Sequence, residues 1–316
     1  MARFRTRLAP SPTGSLHLGN ARTFLINWWM ARQAGGQVVL RLEDLDQSRV
    51  KPDLAERARL DLEWLGLTSD EGPLLQSERV DLYERAFADL QNRKLLFPCV
   101  CSRKEVAAAS APHAEDEGPR YPGTCRGRFA DARQARLSSG REPCWRFRVE
   151  PGEVCFRDRF LGQQRADPHA KGGDFVVRSP DGTFSYQLAV TVDDALMEIS
   201  EVVRGDDLVS STPRQLLLYQ ALGHAPPRFT HLPLVLDEAG RRMAKRHGDT
   251  ELFELRARGI DPREVIALLA KLSGIPRVGR RARAEELIDR FRLERVPREP
   301  VRTGPLPWAG QREPGT

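Results

Sequence analysis

The order of apolar and polar residues predicts alternating strands and helices in the first quarter of the chain. Residues 3–8 (RFRTRL) alternate as a strand does, and residues 37–44 (QVVLRLED) read as a second, buried strand. Helical periodicity follows each of them, in residues 20–35 and in residues 51–67. Since strands that alternate with helices form parallel sheets, the pattern predicts a parallel α/β fold.

This regular pattern stops after a further helix predicted near residues 81–94. Residues 107–143 mix Ala, Pro, Gly and charged residues around cysteines, and short strands with turns follow from Trp145, with a hairpin signal at Asp181-Gly182 that predicts strands on both sides. An α/β pattern then resumes near residue 195. We therefore predict one α/β domain that is split by an inserted, β-rich domain.

The end of the chain differs from both parts. A helix is predicted after Asp261, which reads as its N-cap, with Gly274 as its stop. The segment that follows is rich in Arg, Pro and Gly, with one short amphipathic stretch, EELIDRFRL. Such a composition is typical of mobile termini, and we predict a mobile tail over residues 276–316.

Composition narrows the class of protein. With 316 residues, 40% of them hydrophobic, the chain has material for one large or two ordinary domains. No run approaches the roughly 20 apolar residues of a membrane helix, and no secretory signal is visible, so we expect a cytoplasmic protein. Five cysteines are too few for a disulfide scaffold, and an odd number cannot all pair within the chain. A net charge of +6 permits a nucleic-acid partner without showing one.

Two segments carry candidate chemistry. The loop APSPTGSLHLGN, with Thr13, Gly14, His17 and Gly19, lies between the first strand and the first helix, where backbone N–H groups can face an anion; an ordinary Pro/Gly turn with a surface His is an equal alternative. The second segment, RRMAKRHGD, could neutralise a departing pyrophosphate, or it could be a solvated basic turn. Because only six of the 50 basic residues are Lys, Lys245 favours the first interpretation.

Together these segments resemble the two signatures of class I aminoacyl-tRNA synthetases. PSPTGSLHLGNART resembles the "HIGH" loop in its glutamyl/glutaminyl form, whose last His is replaced, here by Asn20, and RRMAKR resembles "KMSKS". The intervening RLEDLD, QSERVDLYERAFADL, VVRGDDLVSSTPRQLLLYQALG and FTHLPLVL resemble glutamyl-tRNA synthetases in the family's order. The second signature departs from the family, because Arg242 replaces a Lys and Ala244 replaces a Ser that could have bonded phosphate.

The resemblance implies that glutamate and ATP react to give an aminoacyl-adenylate. His17 and Lys245 would be the catalytic residues, holding phosphate and stabilising the pyrophosphate that leaves. The implied glutamate site is Arg7, Leu8, Ala9, Pro10, Ser11, Glu43, Tyr186 and Arg204. The implied ATP site is Thr13, Gly14, His17, Gly19, Asn20, Met243 and Lys245, with Mg²⁺ accompanying ATP. Taken alone, Arg7 would read as a strand-edge Arg, Glu43 as a surface carboxylate and Tyr186 as a core aromatic.

The cysteines form a third constellation. Cys99 and Cys101, with Cys125 across a loop, could share one structural Zn²⁺, and Tyr121 or His113 could be the fourth ligand; reduced loop cysteines are the alternative. The pattern Cys-x-Cys, Tyr-x-x-x-Cys resembles the zinc site of one branch of the family, the glutamyl-queuosine tRNA(Asp) synthetases. Cys144 and Cys155 lie in predicted strands and are expected to be core thiols.

Length separates the branches. Only about 70 residues follow Lys245, too few for the helical anticodon-binding domain of a tRNA-charging relative. The resemblance therefore implies an enzyme that activates L-glutamate without tRNA and transfers it to the queuosine base in the anticodon loop of tRNA(Asp). A small glutamyl-tRNA synthetase that charges the tRNA 3′ end, and a noncatalytic zinc-containing RNA-binding paralogue, remain alternatives. A monomer is expected, since no long exposed apolar helix is seen.

The expected organisation is a Rossmann-type catalytic domain split by an inserted zinc-containing α+β domain, with a short helical C-terminal part. Its segments are residues 1–95 (first half of the catalytic domain), 96–185 (inserted acceptor-binding-like domain), 186–250 (second half, with the second signature), 251–275 (helical segment) and 276–316 (tail).

Overall fold

The computed structural model describes residues 4–46, 48, 50, 52–109, 119–241, 243 and 250–308. The strands are β1 (Arg5–Leu8), β2 (Gln37–Leu42), β3 (Glu71–Leu75), β4 (Leu96–Cys99), β5 (Cys144–Phe147), β6 (Val154–Asp158), β7 (Gly162–Ala166), β8 (Phe175–Arg178), β9 (Glu201–Gly205), β10 (Arg228–Leu232), β11 (Val235–Leu236) and β12 (Val301–Arg302). The helices are α1 (Leu18–Gln33), α2 (Pro52–Trp64), α3 (Val80–Asn92), α4 (Arg103–Ala109), α5 (Ala132–Ser139), α6 (Pro168–Lys171), α7 (Tyr186–Leu196), α8 (Thr212–Leu222), α9 (Leu252–Ala257) and α10 (Pro262–Leu272).

A parallel sheet forms the centre of the molecule. β1 pairs with β2 and β2 with β3, and β9 pairs with β10, all in parallel. The two ladders lie side by side, because the Ser200 N–H donates to the Arg5 carbonyl (2.9 Å) and the Thr6 hydroxyl donates to the Glu201 carbonyl (2.8 Å). The spatial order is thus β3-β2-β1-β9-β10. The predicted α/β class with a parallel sheet is confirmed.

Antiparallel strands occupy the segment between the two ladders. β4, β5 and β8 form one sheet, and β6 and β7 form a hairpin. The turn at Asp181-Gly182 is present, but it leads only to a single bridge between Arg178 and Phe184. The strand expected after it is wrong, because the Ser185 side chain accepts from the Leu188 N–H as an N-cap and α7 begins at Tyr186.

The C-terminal segment packs into the main core as far as Trp308, so the predicted mobile tail is wrong for residues 276–308. The Phe291 ring stacks on Trp29 of α1 with centroids 5.2 Å apart, and the Trp29 indole N–H donates to the Ala284 carbonyl (2.8 Å). Trp308 is fully buried, and β12 pairs with β11. The apolar residues of this stretch, spaced among Arg and Pro, supply enough buried surface to order it. Residues 309–316 lie outside the described part.

Replacing Phe291 by Ala should lower the free energy of unfolding by about 3–5 kcal/mol, since it removes a buried ring from a packed core. Chemical denaturation measures this change. Leu137→Ala is the matched control, because that side chain is 77% exposed and its loss should cost less than about 0.5 kcal/mol. Equal effects in the two variants would contradict the packing of Phe291 in the core.

Across the described residues, no helix combines the length and the apolar character that crossing a membrane requires.

Candidate functional site

A cavity of about 790 Å³ opens at the carboxyl ends of β1, β2 and β9. Ligands of open α/β sheets bind at this edge, because the loops that leave the strands diverge there. The Glu43 N–H donates to the Pro10 carbonyl (3.0 Å), which ties the loop after β1 to the end of β2. The predicted site residues that line the cavity are Arg7, Ala9, Pro10, Ser11, Thr13, Gly14, His17, Gly19, Asn20, Glu43, Tyr186, Arg204 and Met243.

One described residue of the predicted site does not line the cavity, and another lies outside the described residues. The Leu8 side chain is fully buried in the hydrophobic core on the other face of β1, because neighbouring strand residues point to opposite faces; its assignment to the glutamate site is therefore wrong for the side chain. Lys245 lies outside the described residues, as do Arg242 and Ala244 of the second signature and His113 of the insertion.

Arg7 reaches the cavity from a buried ion network. Its Nε donates to Asp194 Oδ1 on α7 at 3.3 Å, and the same oxygen accepts from Arg41 Nη1 at 2.6 Å. Burial disfavours the charged carboxylate, yet the Arg41 and Arg7 guanidiniums hold the pKa of Asp194 below its ordinary value. Asp194 is therefore ionised, and it keeps the Arg7 guanidinium in place beside the cavity.

Glu43 follows β2 and faces the same cavity. Its Oε1 accepts from Arg41 Nη2 at 3.0 Å, so the fully buried Arg41 connects Glu43 with Asp194. Burial raises the pKa of Glu43, although Arg41 and Arg7 oppose this effect. A cation arriving at the cavity would restore the charged form, which makes Glu43 suited to an ammonium group.

Arg204, near the end of β9, is the second buried guanidinium at the cavity. Its Nη2 donates to Thr212 Oγ1 (2.8 Å) and to Gln215 Oε1 (2.9 Å), and its Nη1 lies 3.4 Å from the Tyr186 hydroxyl. None of these three partners is a carboxylate. The charge of Arg204 thus lacks a counterion among its hydrogen-bond partners in the described chain, and an anionic ligand could supply one.

The third nitrogen of Arg204, Nε, bonds to a buried histidine. Arg204 Nε donates to His231 Nε2 at 3.0 Å, so the ring proton lies on Nδ1, which donates to Asp158 Oδ2 at 2.7 Å. Burial lowers the pKa of His231 despite its bond with Asp158, and a neutral ring is what Arg204 requires as an acceptor. Asp158 ends β6, so this chain of contacts joins the inserted hairpin to the cavity.

His17 forms the N-cap of α1 and stands at the cavity wall. Its Nδ1 accepts from the Gly19 N–H (3.1 Å) and the Asn20 N–H (3.3 Å), while Asn20 Oδ1 accepts from the His17 N–H (3.1 Å). Burial lowers the pKa of His17, although Asp207 opposes this. The neutral ring therefore carries its proton on Nε2 and can donate it to an anion at the helix N-terminus.

Gly19 leaves room for this arrangement. A Cβ on Gly19 would lie 3.0 Å from both Cε1 and Nδ1 of His17, so the ring would have to shift by a few tenths of an ångström. Glycine at this position thus allows the capping ring to lie directly over the first turn of α1.

Three thiols lie together in the inserted segment. The Sγ atoms of Cys99, Cys101 and Cys125 all lie within 4.8 Å of one another, and this cluster could hold a metal ion. Tyr121 is close by, since its hydroxyl lies 3.3 Å from Cys99 Sγ and accepts from the Cys125 N–H at 2.8 Å. These residues form a small core of their own with their apolar neighbours.

The other two cysteines differ in burial. Cys144 is buried opposite Cys99 in the β4–β5 ladder, as expected of a core thiol. Cys155 is exposed, and its prediction as a core thiol is wrong, because alternate residues of the two-stranded hairpin face solvent.

Sequence reasoning missed the residues that support the site. Arg41 and Asp194 hold Arg7 and Glu43, and Asp158 and His231 hold Arg204. For Asp194 the sequence did contain a signal of this role. The pair of acids in VTVDDALM interrupts an apolar helix, and buried acids require cationic partners.

Comparison with known proteins agrees with this geometry. The family model described as "tRNA synthetases class I (E and Q), catalytic domain" matches residues 3–301. The "Glutamyl-Q tRNA(Asp) synthetase" of Symbiobacterium thermophilum is 53% identical over 306 residues, 94% of each chain. That of Nitratidesulfovibrio vulgaris is 47% identical over 280 residues, 86% of each chain.

A solved structure gives the same result for the fold. The glutamate tRNA ligase of Elizabethkingia meningosepticum, in complex with its amino acid, superposes with a TM-score of 0.80 at 27% identity. The match covers 96% of this chain and 67% of that one, so about a third of the ligase lies outside the match. The chain belongs to the class I tRNA synthetase (E and Q) catalytic-domain family, and within it to the glutamyl-Q tRNA(Asp) synthetases.

Proposed function

We propose that the protein activates L-glutamate with ATP in the absence of tRNA, and then transfers the glutamate to the queuosine base in the anticodon loop of tRNA(Asp). The observation that carries this proposal is the cavity in which two buried guanidiniums, one carboxylate and the capped N-terminus of α1 meet. This set of groups matches an amino acid with a second carboxylate, bound beside a polyphosphate. The names and identities of its relatives support the same activity.

Glutamate binds through charge complementarity. Arg7 and Arg204 supply the positive charge that the substrate's carboxylates need. Their two guanidiniums together bind the γ-carboxylate. Glu43 accepts the α-ammonium, whose charge offsets the cost of ionising a buried acid. Tyr186 closes the pocket beside Arg204. Glutamine, which lacks the second negative charge, would leave the Arg204 cation without a counterion, so the site favours glutamate.

ATP occupies the other end of the cavity. Thr13, Gly14 and Gly19 let the chain approach the phosphates, and His17 donates its Nε2 proton to them. Asn20 and Met243 line the adjoining wall. Mg²⁺ that accompanies ATP screens the phosphate charge. Lys245 is assigned to the departing pyrophosphate because of its place in the second signature, RRMAKR.

The reaction has two steps. An α-carboxylate oxygen of glutamate bonds to the α-phosphorus, and the bond from that phosphorus to the bridging oxygen breaks, releasing pyrophosphate. A hydroxyl of the cyclopentenediol ring that the queuosine base carries then bonds to the activated carbonyl carbon. The bond from that carbon to the phosphate oxygen breaks, AMP leaves, and the hydroxyl proton passes to AMP or solvent.

A structural Zn²⁺ fits the thiol cluster. Zinc–sulfur bonds of about 2.3 Å place tetrahedral ligand sulfurs roughly 3.8 Å apart, and the Cys101 and Cys125 sulfurs are already 3.5 Å apart. Tyr121 is assigned as the fourth ligand, because its hydroxyl lies within the cluster. A bound ion would fix the chain on both sides of residues 110–118.

Replacing Cys125 by Ser should reduce the zinc content from one ion per chain to well below one, because the site loses a thiolate. Elemental analysis of the purified protein measures this. Cys155→Ser is the control, since Cys155 is exposed and outside the cluster. Full zinc content in the Cys125 variant would contradict the assignment.

We also propose the division into residues 1–95, 96–185 and 186–250, a cytoplasmic location and a monomeric state. The first is supported by the antiparallel strands that separate the two parallel ladders.

Labelled glutamate tests the function directly. Glutamate-dependent ATP–pyrophosphate exchange should proceed without tRNA. When tRNA(Asp) bearing queuosine is added and then cleaved, the label should appear in the anticodon fragment. Label on the 3′-terminal fragment would instead identify a tRNA-charging enzyme, and a lack of exchange would favour a noncatalytic RNA-binding protein.

A further inference from the structure

A second cavity, of about 590 Å³, adjoins the first. It lies between the β6–β7 hairpin with α6 on one side and residues 206–214 on the other. Asp207 and Leu234 line both cavities, so the two share a wall at the end of β9. The Asp207 carboxylate lies over Gly205, with Oδ1 2.6 Å from the point that a Cβ on Gly205 would occupy.

The walls of the second cavity combine three kinds of group. Phe156 offers a half-buried ring, held by edge contacts to Phe229 (centroids 6.2 Å apart) and to His231 (6.5 Å apart). Lys171 and Arg214 bring positive charge from α6 and α8. Asp206 and Asp207 bring negative charge to the side nearest the first cavity.

We propose that this second cavity binds the acceptor nucleotide, with its modified base directed toward the first cavity. The inference rests on the proposed function and adds the location of its RNA substrate. The base stacks on Phe156, because every base has an aromatic face that a fixed ring can contact. Lys171 and Arg214 pair with the flanking phosphates.

The two carboxylates favour the queuosine base over a tRNA 3′ end. The diol ring of queuosine is joined to its deazaguanine through a secondary amine, which is cationic at neutral pH. Asp207 lines both cavities and Asp206 lines the second, so the two carboxylates lie beside the route that the amine would take between the cavities, and they complement its charge. A terminal adenosine carries no cation, so the same two carboxylates would only repel its phosphate.

The position of the shared wall agrees with the transfer chemistry. A hydroxyl one ring beyond the amine must reach the activated carbonyl, which forms between the glutamate and ATP ends of the first cavity. Asp207 of the shared wall lines the first cavity together with His17, which faces its phosphate end.

Lys171→Glu tests the phosphate contact. Exchange without tRNA should stay within twofold of the wild type, because Lys171 lies outside the first cavity, while kcat/KM for queuosine-bearing tRNA(Asp) should fall at least tenfold. Arg157→Glu makes the same charge change on the exposed face of β6, away from this cavity, and should reduce transfer much less. Phe156→Leu, which keeps the apolar packing and removes the stacking ring, should lower transfer at least fivefold.

Asp206→Asn tests the amine contact with anticodon stem-loops as competitors. A stem-loop carrying 7-aminomethyl-7-deazaguanine, which keeps an amine and lacks the diol, should compete with tRNA(Asp) at least fivefold better than one carrying guanine. The Asn variant should abolish that preference. A preference that persists in the variant would overturn the placement of the amine.

The outcomes separate this inference from the proposed function. If the wild type labels the anticodon loop but the Lys171 and Phe156 variants transfer normally, the second cavity is not the nucleotide site and the function stands. If the wild type labels the 3′ end, both the function and the inference fail. Equal losses in the Lys171 and Arg157 variants would indicate general electrostatic attraction and would overturn the specific site.

Discussion

Replacing Arg204 by Gln should raise the KM for glutamate in tRNA-independent exchange by at least 30-fold and leave the KM for ATP within about threefold. Removing one member of a buried charged contact costs about 2–5 kcal/mol, and 2 kcal/mol corresponds to roughly 30-fold. Gln can still bond to Thr212 and His231, so the pocket keeps its polar partners. Exchange kinetics at varied glutamate and fixed ATP measure the change.

Asp158→Asn separates the effect of the position of the Arg204 guanidinium from the effect of its charge. It weakens the hold of His231 on Arg204 and leaves both guanidiniums present, so the KM for glutamate should rise in the same direction and by less. An Arg204→Lys variant should resemble Arg204→Gln more than the wild type, because an ammonium cannot reproduce the planar fork. A normal KM for glutamate in Arg204→Gln would refute the assignment of this residue.

Replacing His17 by Asn should lower kcat of exchange by about 100- to 1000-fold, the range found when one fixed donor to a developing charge is removed. Asn is a good N-cap, so it keeps the acceptor for the first N–H groups of α1 and removes the Nε2 donor. The free energy of unfolding should therefore stay within about 0.5 kcal/mol of the wild type. Exchange rates and chemical denaturation, measured on the same preparation, check both parts.

His17→Ala is the matched comparison. It removes the donor and the cap, so it should lose the same activity and, in addition, about 1 kcal/mol of stability. Because burial holds the pKa of His17 below its ordinary 6.5, the neutral donor should persist, and the wild-type kcat should not fall on this account, between pH 7 and 6.5. A His17→Asn enzyme with wild-type kcat would show that the ring acts only as a cap.

The sequence carried most of the fold and most of the cavity wall. Strand–helix alternation predicted the parallel sheet, and short motifs at strand ends predicted which residues face one another. Arg7, Glu43 and Arg204 are more than 30 residues apart in sequence, and they meet because parallel strands present their carboxyl ends at one edge. The first signature was recognisable because a cap, a glycine and a helix start occupy one short stretch.

The remainder depended on contacts between distant segments. Nothing in the motif RLED shows that Arg41 bonds to Asp194, which lies more than 150 residues later. The same holds for Asp158, whose partner His231 belongs to another ladder. Composition misled the prediction of the tail, because its order depends on a few buried apolar side chains, among them Leu287, Phe291 and Trp308, that stand among many Arg and Pro residues.

The packing of the C-terminal segment has a consequence for the order of folding. Trp29 and β11 find their partners at Phe291 and at β12, which are synthesised only with residues 291–302. Contacts at such sequence separation close late, because the intervening chain must be restrained first. On the ribosome, the apolar surfaces of α1 and β11 therefore stay exposed until these partners are available. Competence for catalysis should arise only once residues 291–302 have emerged, so a polypeptide released before that point would not function as a shorter enzyme.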